Sequence, residues 1–448
     1  MVTDKSGTSR SGIVKVVAAS MAGTAVEWYD FFLYGVAAAV VFPAVFFPSD
    51  DPAVGTLLAL GTFAIGFVAR PLGGLVFGHY GDKLGRKKLL VISLVGMGVA
   101  TFAIGLLPGY ATIGLAAPLL LTFLRLVQGF AIGGEWGGAV LIVSEHGDPA
   151  RRGYWASWPQ AGVPVGQLLA NALLFLLAAV QSDQDFQAWG WRIPFLLSAV
   201  LVLIGLYIRL SIEESPIFKE AQAKAAELAA AGEKEVVPIV DVFRRYPREV
   251  FTAMGARFAE NVCYYIFTIV ITTYVTKRLG LPSSFVLGAV LIGAAVHLVA
   301  IPIWGALSDR FGRKPIYLLG AAGVGVWAFV FIALVDTGNF ALTTIAVVVG
   351  LVFHAAMYGP QAAFLSEMFG TKVRYSGVSV GYQLASVVAG GLAPIIAVAL
   401  YTSFDSGYAV SVYVALSALL TIVAVASYGE TRHRDLAADP ALPRAARH

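Results

Sequence analysis

GHYGDKLGRK (residues 78–87) and GALSDRFGRK (residues 305–314) are two copies of one charged motif in this chain. Gly, Asp, Gly, Arg and Lys occupy the same places in both copies, which begin about half of the 448-residue chain apart. Each copy follows one long apolar segment and precedes another. We therefore predict a duplicated bundle of membrane helices joined by charged loops, an arrangement that is typical of transporters.

The composition also indicates a membrane protein. Hydrophobic residues make up 58% of the chain and charged residues only 13%, whereas soluble domains carry about 25% charged residues. The apolar residues form runs of about 20, the length that crosses a bilayer, and lipid requires such segments to be helices. The predicted fold class is an all-α membrane protein with twelve transmembrane helices. The predicted spans are 14–46, 54–78, 89–108, 115–142, 154–180, 192–210, 249–276, 284–305, 315–335, 340–366, 376–402 and 408–428.

The distribution of Lys and Arg predicts the orientation. Most of the 31 cationic residues lie at the N-terminus, in both motif loops, in segment 211–248 and in the C-terminal tail. By the positive-inside rule these parts are cytoplasmic, so we expect a multi-pass protein of the inner (cytoplasmic) membrane with both termini inside. The net charge of +4 follows from this bias and gives no support for a nucleic-acid partner.

The same pattern divides the chain into four predicted parts. Two six-helix halves, 1–210 and 249–430, are joined by a cytoplasmic linker, 211–248, and a short cytoplasmic tail follows at 431–448. The linker is rich in Ala and charged residues and contains some helical pattern. Because each half carries one copy of the motif, we expect the two halves to be pseudo-symmetric.

Further stretches resemble a known family. The repeated motif resembles the signature of the major facilitator superfamily, and the other stretches are similar to its metabolite:proton symporter family. The resemblance implies the major facilitator fold, a monomer in the bilayer, and a small metabolite such as shikimate, 2-oxoglutarate, citrate, proline or betaine. It implies no cofactor, with the proton as coupling ion. The stretches are EWYDFFLYG (27–35), RPLGG (70–74), RLVQGFAIGGEWGG (125–138), WGWRIPF (189–195), EESPIF (213–218), EMFGTKVRYSG (367–377) and GYQLASVVAGG (381–391).

The resemblance also implies a gate at the cytoplasmic ends of the halves. We expect Asp82 at the start of the helix that begins near residue 85, where a carboxylate suits the positive helix end. Arg86 can pair with Asp82 or Glu145, and the glycines allow tight turns and close helix approach. Alternatively, these charges merely mark a cytoplasmic loop. The candidate gating residues are Gly78, Asp82, Gly85, Arg86 and Glu145, with Asp309, Gly312, Arg313 and Glu367 in the second half.

Ionisable residues inside the spans are the candidate transport site. Placing one charged residue at the centre of a transmembrane helix costs about 2.5–3.5 kcal/mol. We therefore expect these side chains to face the interior of the bundle, where some form purely structural pairs. Their spacing predicts three polar stripes on otherwise apolar helices. The stripes are Glu27 and Asp30; Arg125, Gln128 and Glu135; and Arg257, Glu260, Asn261 and Tyr264, with Arg70 as a further buried charge.

These residue types fit proton-driven transport of an anion. An arginine can hold a substrate carboxylate in bidentate fashion, and a carboxyl group in a dry cavity can load and release a proton near neutral pH. We therefore predict a proton-coupled symporter that imports a small organic acid or zwitterionic metabolite, one that bears a carboxylate, across the cytoplasmic membrane by alternating access. His354 and His297 are secondary proton candidates, although a lone histidine is more often a packing residue. Tyr358, Gln361, Tyr382 and Gln383 are candidate polar contacts in the second half.

Other functions remain as alternatives. An antiporter of the same fold is the first, but the G-P-x-x-G-G pattern of such proteins does not match Gly162 to Gly166, GVPVG. A sensor would need an added signalling domain. An ATP-driven pump would need a GxxxxGK[ST] loop, which does not occur in this sequence. Cys263 is the only cysteine, so one chain cannot build a disulfide or a cysteine metal cluster, and no metal site is predicted. We expect that the protein is not an enzyme.

Overall fold

The computed structural model describes residues 10–84, 86–133, 140, 143–144, 148–211, 238–370, 374–432 and 434. Side chains are described for the same residues except 10–12, 15, 78–84, 86–90, 178, 183, 209, 211, 238–241 and 375. Within this part of the chain the secondary structure is helical and no strand occurs.

Twelve long helices make up the described part of the bundle. In the first half they are α1 Arg10–Val40, α2 Pro52–Leu84, α3 Arg86–Leu106, α4 Ala116–Ile132, α5 Arg152–Val180 and α6 Arg192–Ser211. In the second half they are α7 Pro247–Tyr265, α8 Ser283–Phe311, α9 Arg313–Val335, α10 Phe340–Ser366, α11 Arg374–Ser386 and α12 Tyr408–Ala426. Two of them continue through π-helical turns: α7 through Ile266–Val270 and Tyr274–Arg278, and α11 through Val387–Gly391 into Ala393–Ser403. Short helices lie between them at Phe42–Val45, Tyr110–Ile113, Pro149–Arg151, Asp183–Asp185, Phe186–Gly190 and Pro238–Arg245.

The apolar length of these helices suits a membrane. Among the described residues, nine helical segments are long and apolar enough to cross a bilayer, and Val91–Leu106 and Ala116–Ile132 are shorter apolar helices. Large side chains such as Leu119, Tyr207 and Val326 are exposed on the outside of the bundle, as expected for a surface that faces lipid. The prediction of an all-helical, twelve-span fold is confirmed.

Helix packing builds two halves around a common interface. Within the first half α1 packs on α5, α2 on α4 and α3 on α6; within the second half α10 packs on α8 and α9, and α12 on α7 and α9. Between the halves α5 packs on α8 and α10, and α2 packs on α11. In α7, every side chain from Ile266 to Val275 is buried, which places this part of the helix at the centre of the molecule.

The predicted motif loops are wrong, because both motifs are almost entirely helical. Helix α2 runs to Leu84 and α3 begins at Arg86; α8 runs to Phe311 and α9 begins at Arg313. In the second copy Gly312 alone makes the turn, with a φ of 103° that a residue without Cβ adopts readily. Asp82 and Asp309 therefore lie in the last turn of α2 and α8, and not at the start of the following helix as predicted for Asp82.

Candidate functional site

The candidate site contains an aromatic cluster at the interface of the halves. Phe31 of α1 lies 5.0 Å from Phe63 and 5.3 Å from Phe67 of α2, measured between ring centroids. Tyr265 of α7 lies 5.6 Å from Phe67. A Cβ added to Gly390, in the π turn of α11, would come within 2.8 Å of Phe67. The absence of a side chain there lets α11 approach α2, so this cluster joins both halves.

Three buried arginines surround the cluster. The Cζ of Arg70 lies 4.5 Å from the ring centroid of Phe67, and the Cζ of Arg125 lies 4.2 Å from that of Tyr34. On the side of the second half, the Cζ of Arg257 lies 3.3 Å from the ring centroid of Tyr382. Such cation–π contacts contribute about 0.5–2 kcal/mol each. They offset part of the cost of burying the charge and leave the guanidinium edges for hydrogen bonds.

In the first half, a chain of hydrogen bonds links Arg125 to Asp30. Arg125 Nη1 donates to Gln128 Oε1 at 3.1 Å, and Gln128 Nε2 donates to Thr101 Oγ1 at 2.6 Å. Thr101 Oγ1 donates to Asp30 Oδ2 at 2.9 Å. Asp30 Oδ1 and Arg125 Nε are buried and have no hydrogen-bond partner among the described residues. This row of hydrogen bonds therefore leaves one carboxylate oxygen of Asp30 and one guanidinium N–H of Arg125 available for a further partner.

In the second half, Arg257 is held more completely. Its Nη1 donates to Glu260 Oε2 at 2.6 Å and to Gln361 Oε1 at 3.0 Å, and its Nε donates to Ser386 Oγ at 3.3 Å. Glu260 Oε1 lies 3.1 Å from His354 Nε2. Gln361 Nε2 donates to Tyr317 Oη at 2.9 Å. The predicted stripe on α7 is thus joined to α9, α10 and α11.

The remaining predicted site residues lie in different surroundings. Asn261 Nδ2 donates to the carbonyl of Arg257 at 3.2 Å, so its amide supports its own helix. Tyr358 lies 5.2 Å from His354, ring to ring. Gln383 Nε2 donates to the carbonyl of Gly133 at 3.1 Å, which links α11 to the end of α4. Glu27 is buried in α1, 6% exposed, and Glu135 lies outside the described residues.

Sequence reasoning missed several polar residues of this site. Thr101 connects Gln128 to Asp30, and Ser386 and Tyr317 contact the Arg257 network, yet each is a single uncharged hydroxyl on an apolar helix. Ser386 follows Tyr382 by four positions, a helical spacing that points to the same face as a predicted residue. Thr101 carries no such signal in the sequence.

A second cluster lies at the first turns of α5 and α9 and the ends of α8 and α10, and it joins the halves. Asp309 accepts hydrogen bonds from the backbone N–H groups of Gly153 and Tyr154, at 2.8 Å each, and from Arg313 Nη1 at 2.7 Å. The carboxylate of α8 therefore faces the positive N-terminal end of α5. Glu367 accepts from Arg313 Nη2 at 3.2 Å and from Arg152 Nη1 at 3.0 Å. Arg152 was not among the predicted residues.

Close helix packing supports this cluster. A Cβ added to Gly153 would lie 2.6 Å from the carbonyl oxygen of Gly305, and one added to Gly305 would lie 2.7 Å from that of Gly153. Helices α5 and α8 thus touch through their backbones. In the first copy of the motif, the backbone is described at Gly78, Asp82 and Arg86, but their burial and side-chain contacts are not. Gly85 and Glu145 lie outside the described residues.

Comparisons with known proteins place the whole chain in one family. A family described as "Sugar (and other) transporter" matches residues 15–440. The chain is 42% identical to the inner membrane metabolite transport protein YhjE of Escherichia coli K12 over 94% of this chain and 95% of that protein. It is 41% identical to the shikimate transporter of the same strain, over 93% and 95%. It is 35% identical to that strain's proline/betaine transporter, over 94% and 84%.

The fold also matches solved structures. A partially occluded inward-open structure of the xylose transporter XylE from E. coli gives a TM-score of 0.72, covering 95% of this chain and all of that chain, at 18% identity. The predictions of a multi-pass membrane transporter rather than an enzyme are confirmed by these relatives. Together, the duplicated six-helix halves and the match over nearly the full length show that this chain belongs to the sugar (and other) transporter family of the major facilitator superfamily.

Proposed function

We propose that this protein is a proton-coupled importer of a small carboxylate-bearing metabolite, acting as a monomer with both termini in the cytoplasm. The observation that carries the proposal is that each half contributes one buried arginine that lies on a buried aromatic ring, Arg125 on Phe31 and Arg257 on Tyr382. Shikimate and proline, named in two relatives, each contain a carboxylate, and a xylose relative of the same fold is named as a proton symporter.

The two arginines suit an anion held between the halves. Arg125 keeps a buried Nε–H without a partner among the described residues, so an approaching carboxylate gains a charge-assisted hydrogen bond without displacing an existing one. Phe31 and Tyr265 pack on each other, with 5.7 Å between ring centroids, and offer apolar surface for the carbon skeleton of a solute. A solute bound there touches both halves, as alternating access requires.

The cytoplasmic cluster serves as the inner gate in this mechanism. The ends of α5 and α8 are joined through Asp309, and Arg152 of the first half is joined to Glu367 of the second. Passage of the solute to the cytoplasm requires these contacts to separate. Proton binding in the interior and separation at the rim are thus two distinct steps, one at the buried carboxyls and one at the cluster.

Uptake by purified protein in proteoliposomes tests the proposal. Labelled shikimate, 2-oxoglutarate, citrate and betaine are supplied outside, with and without an inward proton gradient. We expect one of these solutes to accumulate above equilibrium only with the gradient, and a protonophore to abolish the accumulation. Uptake that is indifferent to the protonophore but requires sodium contradicts proton coupling. Proton-driven efflux of a preloaded solute identifies an antiporter instead.

A further inference from the structure

A row of buried polar side chains runs from α7 through α10 to α8. Glu260 Oε1 lies 3.1 Å from His354 Nε2, and His354 Nδ1 lies 2.8 Å from His297 Nε2. The other carboxylate oxygen of Glu260 accepts from Arg257 at 2.6 Å. Both histidines are at most 1% exposed. The row ends at His297 Nδ1, a buried atom that has no hydrogen-bond partner among the described residues.

The hydrogen bonds assign one tautomer to each neutral histidine, because a carboxylate only accepts. His354 must donate its Nε2–H to Glu260, which makes its Nδ1 an acceptor. His297 must then donate its Nε2–H to His354, which leaves its own Nδ1 with a free lone pair. Both N–H groups therefore point along the row in the same direction, towards Glu260.

The surroundings of the two imidazoles are largely aromatic. Tyr264 of α7 stacks on His354 with 4.6 Å between ring centroids and lies 5.6 Å from His297. Tyr358 of α10 lies 6.5 Å from His297. Helix α5 contributes the neutral Gln167, which accepts a hydrogen bond from Tyr264 Oη. The other titratable or charged groups near Glu260 are Arg257, Cys263, Tyr265, Tyr317 and Tyr382. Within this set only Arg257 is a permanent cation, so it is the natural partner of Glu260.

We propose that His297, His354 and Glu260 form a proton relay that neutralises Glu260 when a proton arrives at His297 Nδ1. His297 binds this proton at Nδ1 and passes its Nε2 proton to Nδ1 of His354. His354 passes its own Nε2 proton to Glu260 Oε1. Two N–H bonds break, and two N–H bonds and one O–H bond form. One proton is gained, both imidazoles end neutral in the opposite tautomer, and the carboxylate becomes a carboxylic acid.

The relay couples the proton to the substrate, and this consequence rests on the function proposed above. With Glu260 neutral, the hydrogen-bond partners of Arg257 among the described residues are all neutral: Glu260 Oε2, Gln361 Oε1 and Ser386 Oγ. A buried charge that has lost its counter-ion is strongly unfavourable. A substrate carboxylate at the aromatic cluster then replaces the lost charge. We therefore expect the proton to bind before the anion, and loss of the anion to favour return of the proton.

Nuclear magnetic resonance of ¹⁵N-labelled histidine tests the relay without any substrate. The full chain in lipid bilayers is measured at about pH 8 and about pH 5, on either side of the usual imidazole titration. We expect Nε2–H signals for His297 and His354 at high pH and Nδ1–H signals at low pH, without imidazolium. Infrared difference spectra should show a carboxyl group that gains a proton and that is absent in Glu260→Gln. An imidazolium at His354 beside an ionised Glu260 overturns the relay.

His297→Gln provides a matched variant. The glutamine amide can still donate to His354 Nδ1, but it cannot accept a proton at one atom and give one from another. We expect this variant to keep the fold and lose the pH-dependent carboxyl signal of Glu260. His448→Gln, at the last residue of the chain, controls for loss of a histidine as such and should retain the signal. A full signal in His297→Gln assigns His297 a packing role and refutes the proposal.

Transport gives a second, separable measurement. With the labelled solute of the panel above that the wild type accumulates fastest, His297→Gln should lose accumulation driven by a proton gradient but keep exchange of solute across equal gradients. Retained accumulation in His297→Gln contradicts the relay. If the wild type accumulates none of the four solutes, the proposed function fails, and the spectroscopic result still decides the relay on its own.

Discussion

At the scale of the residue, we expect substrate recognition to depend on the buried arginines. Arg125 uses one end of its guanidinium for Gln128, rests its face on Tyr34 and keeps its Nε–H unpaired among the described residues. A lysine has neither the flat face nor the fork of donors. The identity of this cation, and not only its charge, is therefore expected to matter.

Arg125→Lys should impair uptake strongly. The substitution keeps the charge but removes hydrogen bonds to charged groups, which contribute about 1.5–3 kcal/mol, so uptake at low solute concentration should fall by about 10–100-fold. The measurement is initial uptake of the transported carboxylate into proteoliposomes. Arg244→Lys, at an exposed position of the helix Pro238–Arg245, is the control and should transport normally. Near-normal uptake by Arg125→Lys would mean that Arg125 is structural.

The sequence predicted this site in part, and the physical reason is the helical period. Arg125 and Gln128, and Arg257 and Glu260, are pairs three positions apart, and the structure brings each pair into contact. Their transport roles stay predictions. Thr101, a partner from another helix, could not be predicted, because no local spacing records which turns of two distant helices meet.

At the scale of the element, contacts between helix ends set the arrangement of the halves. Helices α5 and α8 approach so closely at Gly153 and Gly305 that an added Cβ meets backbone atoms. A backbone cannot rotate away as a side chain can. Any added carbon at this crossing must therefore move one helix relative to the other.

Gly153→Ala should separate α5 from α8. Overpacking of a tight contact costs about 1–3 kcal/mol, and the cost falls only on the state in which α5 and α8 touch at this crossing. We expect spin labels at positions 150 and 311 to show a larger fraction of long distances in the variant than in the wild type, measured by pulsed electron paramagnetic resonance. Gly61→Ala, where an added Cβ meets nothing within 4 Å, should leave the distribution unchanged. Equal distributions in both variants would show that the crossing tolerates the methyl group.

Helix α9 has its own cap, supplied from the segment after α12. Glu430 accepts from the backbone N–H groups of Arg313 and Lys314, at 2.9 and 3.0 Å. Partial burial raises the pKa of Glu430, but these donors and the N–H groups of Thr431 and Arg432 outweigh it, so the pKa lies below the usual 4.5. A carboxylate cap of this kind stabilises the folded chain only while it is ionised.

Glu430→Gln should therefore lower stability in a pH-dependent way. Because the folded pKa lies below the unfolded value, the contribution of Glu430 is present above about pH 4.5 and is lost as pH falls through the folded pKa. Loss of a cap costs about 0.5–2 kcal/mol. Thermal unfolding in detergent should show a gap between wild type and variant at neutral pH that narrows on acidification. Asp50→Asn, at an exposed position, should show no gap. A gap that widens on acidification would contradict the cap.

At the scale of the whole molecule, the structure separates an interior site from a rim of charges. The arginines and the histidine row lie among the central helices, whereas Asp309 and Glu367 lie at the ends of α8 and α10. Substitutions in the two places should thus affect different parts of the transport cycle.

Asp309→Asn and Glu27→Gln should affect transport in different ways. Asp309→Asn removes the charge that faces α5 and Arg313, so the balance between open states should shift while exchange persists. Apparent affinity should change only by the fraction of competent protein. Glu27→Gln removes a candidate proton carrier, so gradient-driven accumulation should fail while exchange persists. Counterflow and gradient-driven uptake, measured for both variants, separate these effects. Loss of proton coupling in Asp309→Asn alone would reverse the two roles.

Much of the fold could be predicted because few backbone conformations are stable in lipid. Each apolar run must be a helix, and the predicted spans 192–210, 315–335 and 340–366 differ from the observed α6, α9 and α10 by at most two residues at either end. The turn at Gly312 could not be predicted, because a charged, glycine-containing stretch fits a loop as well as two helices that meet at one residue.

The π-helical turns of α7 and α11 give these two helices an uneven stiffness along their length. A π turn accommodates an extra residue with weaker, more widely spaced backbone bonds than an α turn, and in α7 two such turns follow one another between Ile266 and Arg278. The first part of α7, Pro247–Tyr265, is an uninterrupted α-helix. The π-helical part of α7 is therefore expected to be the more flexible one. We expect it to bend while the first part of the helix moves as a rigid body.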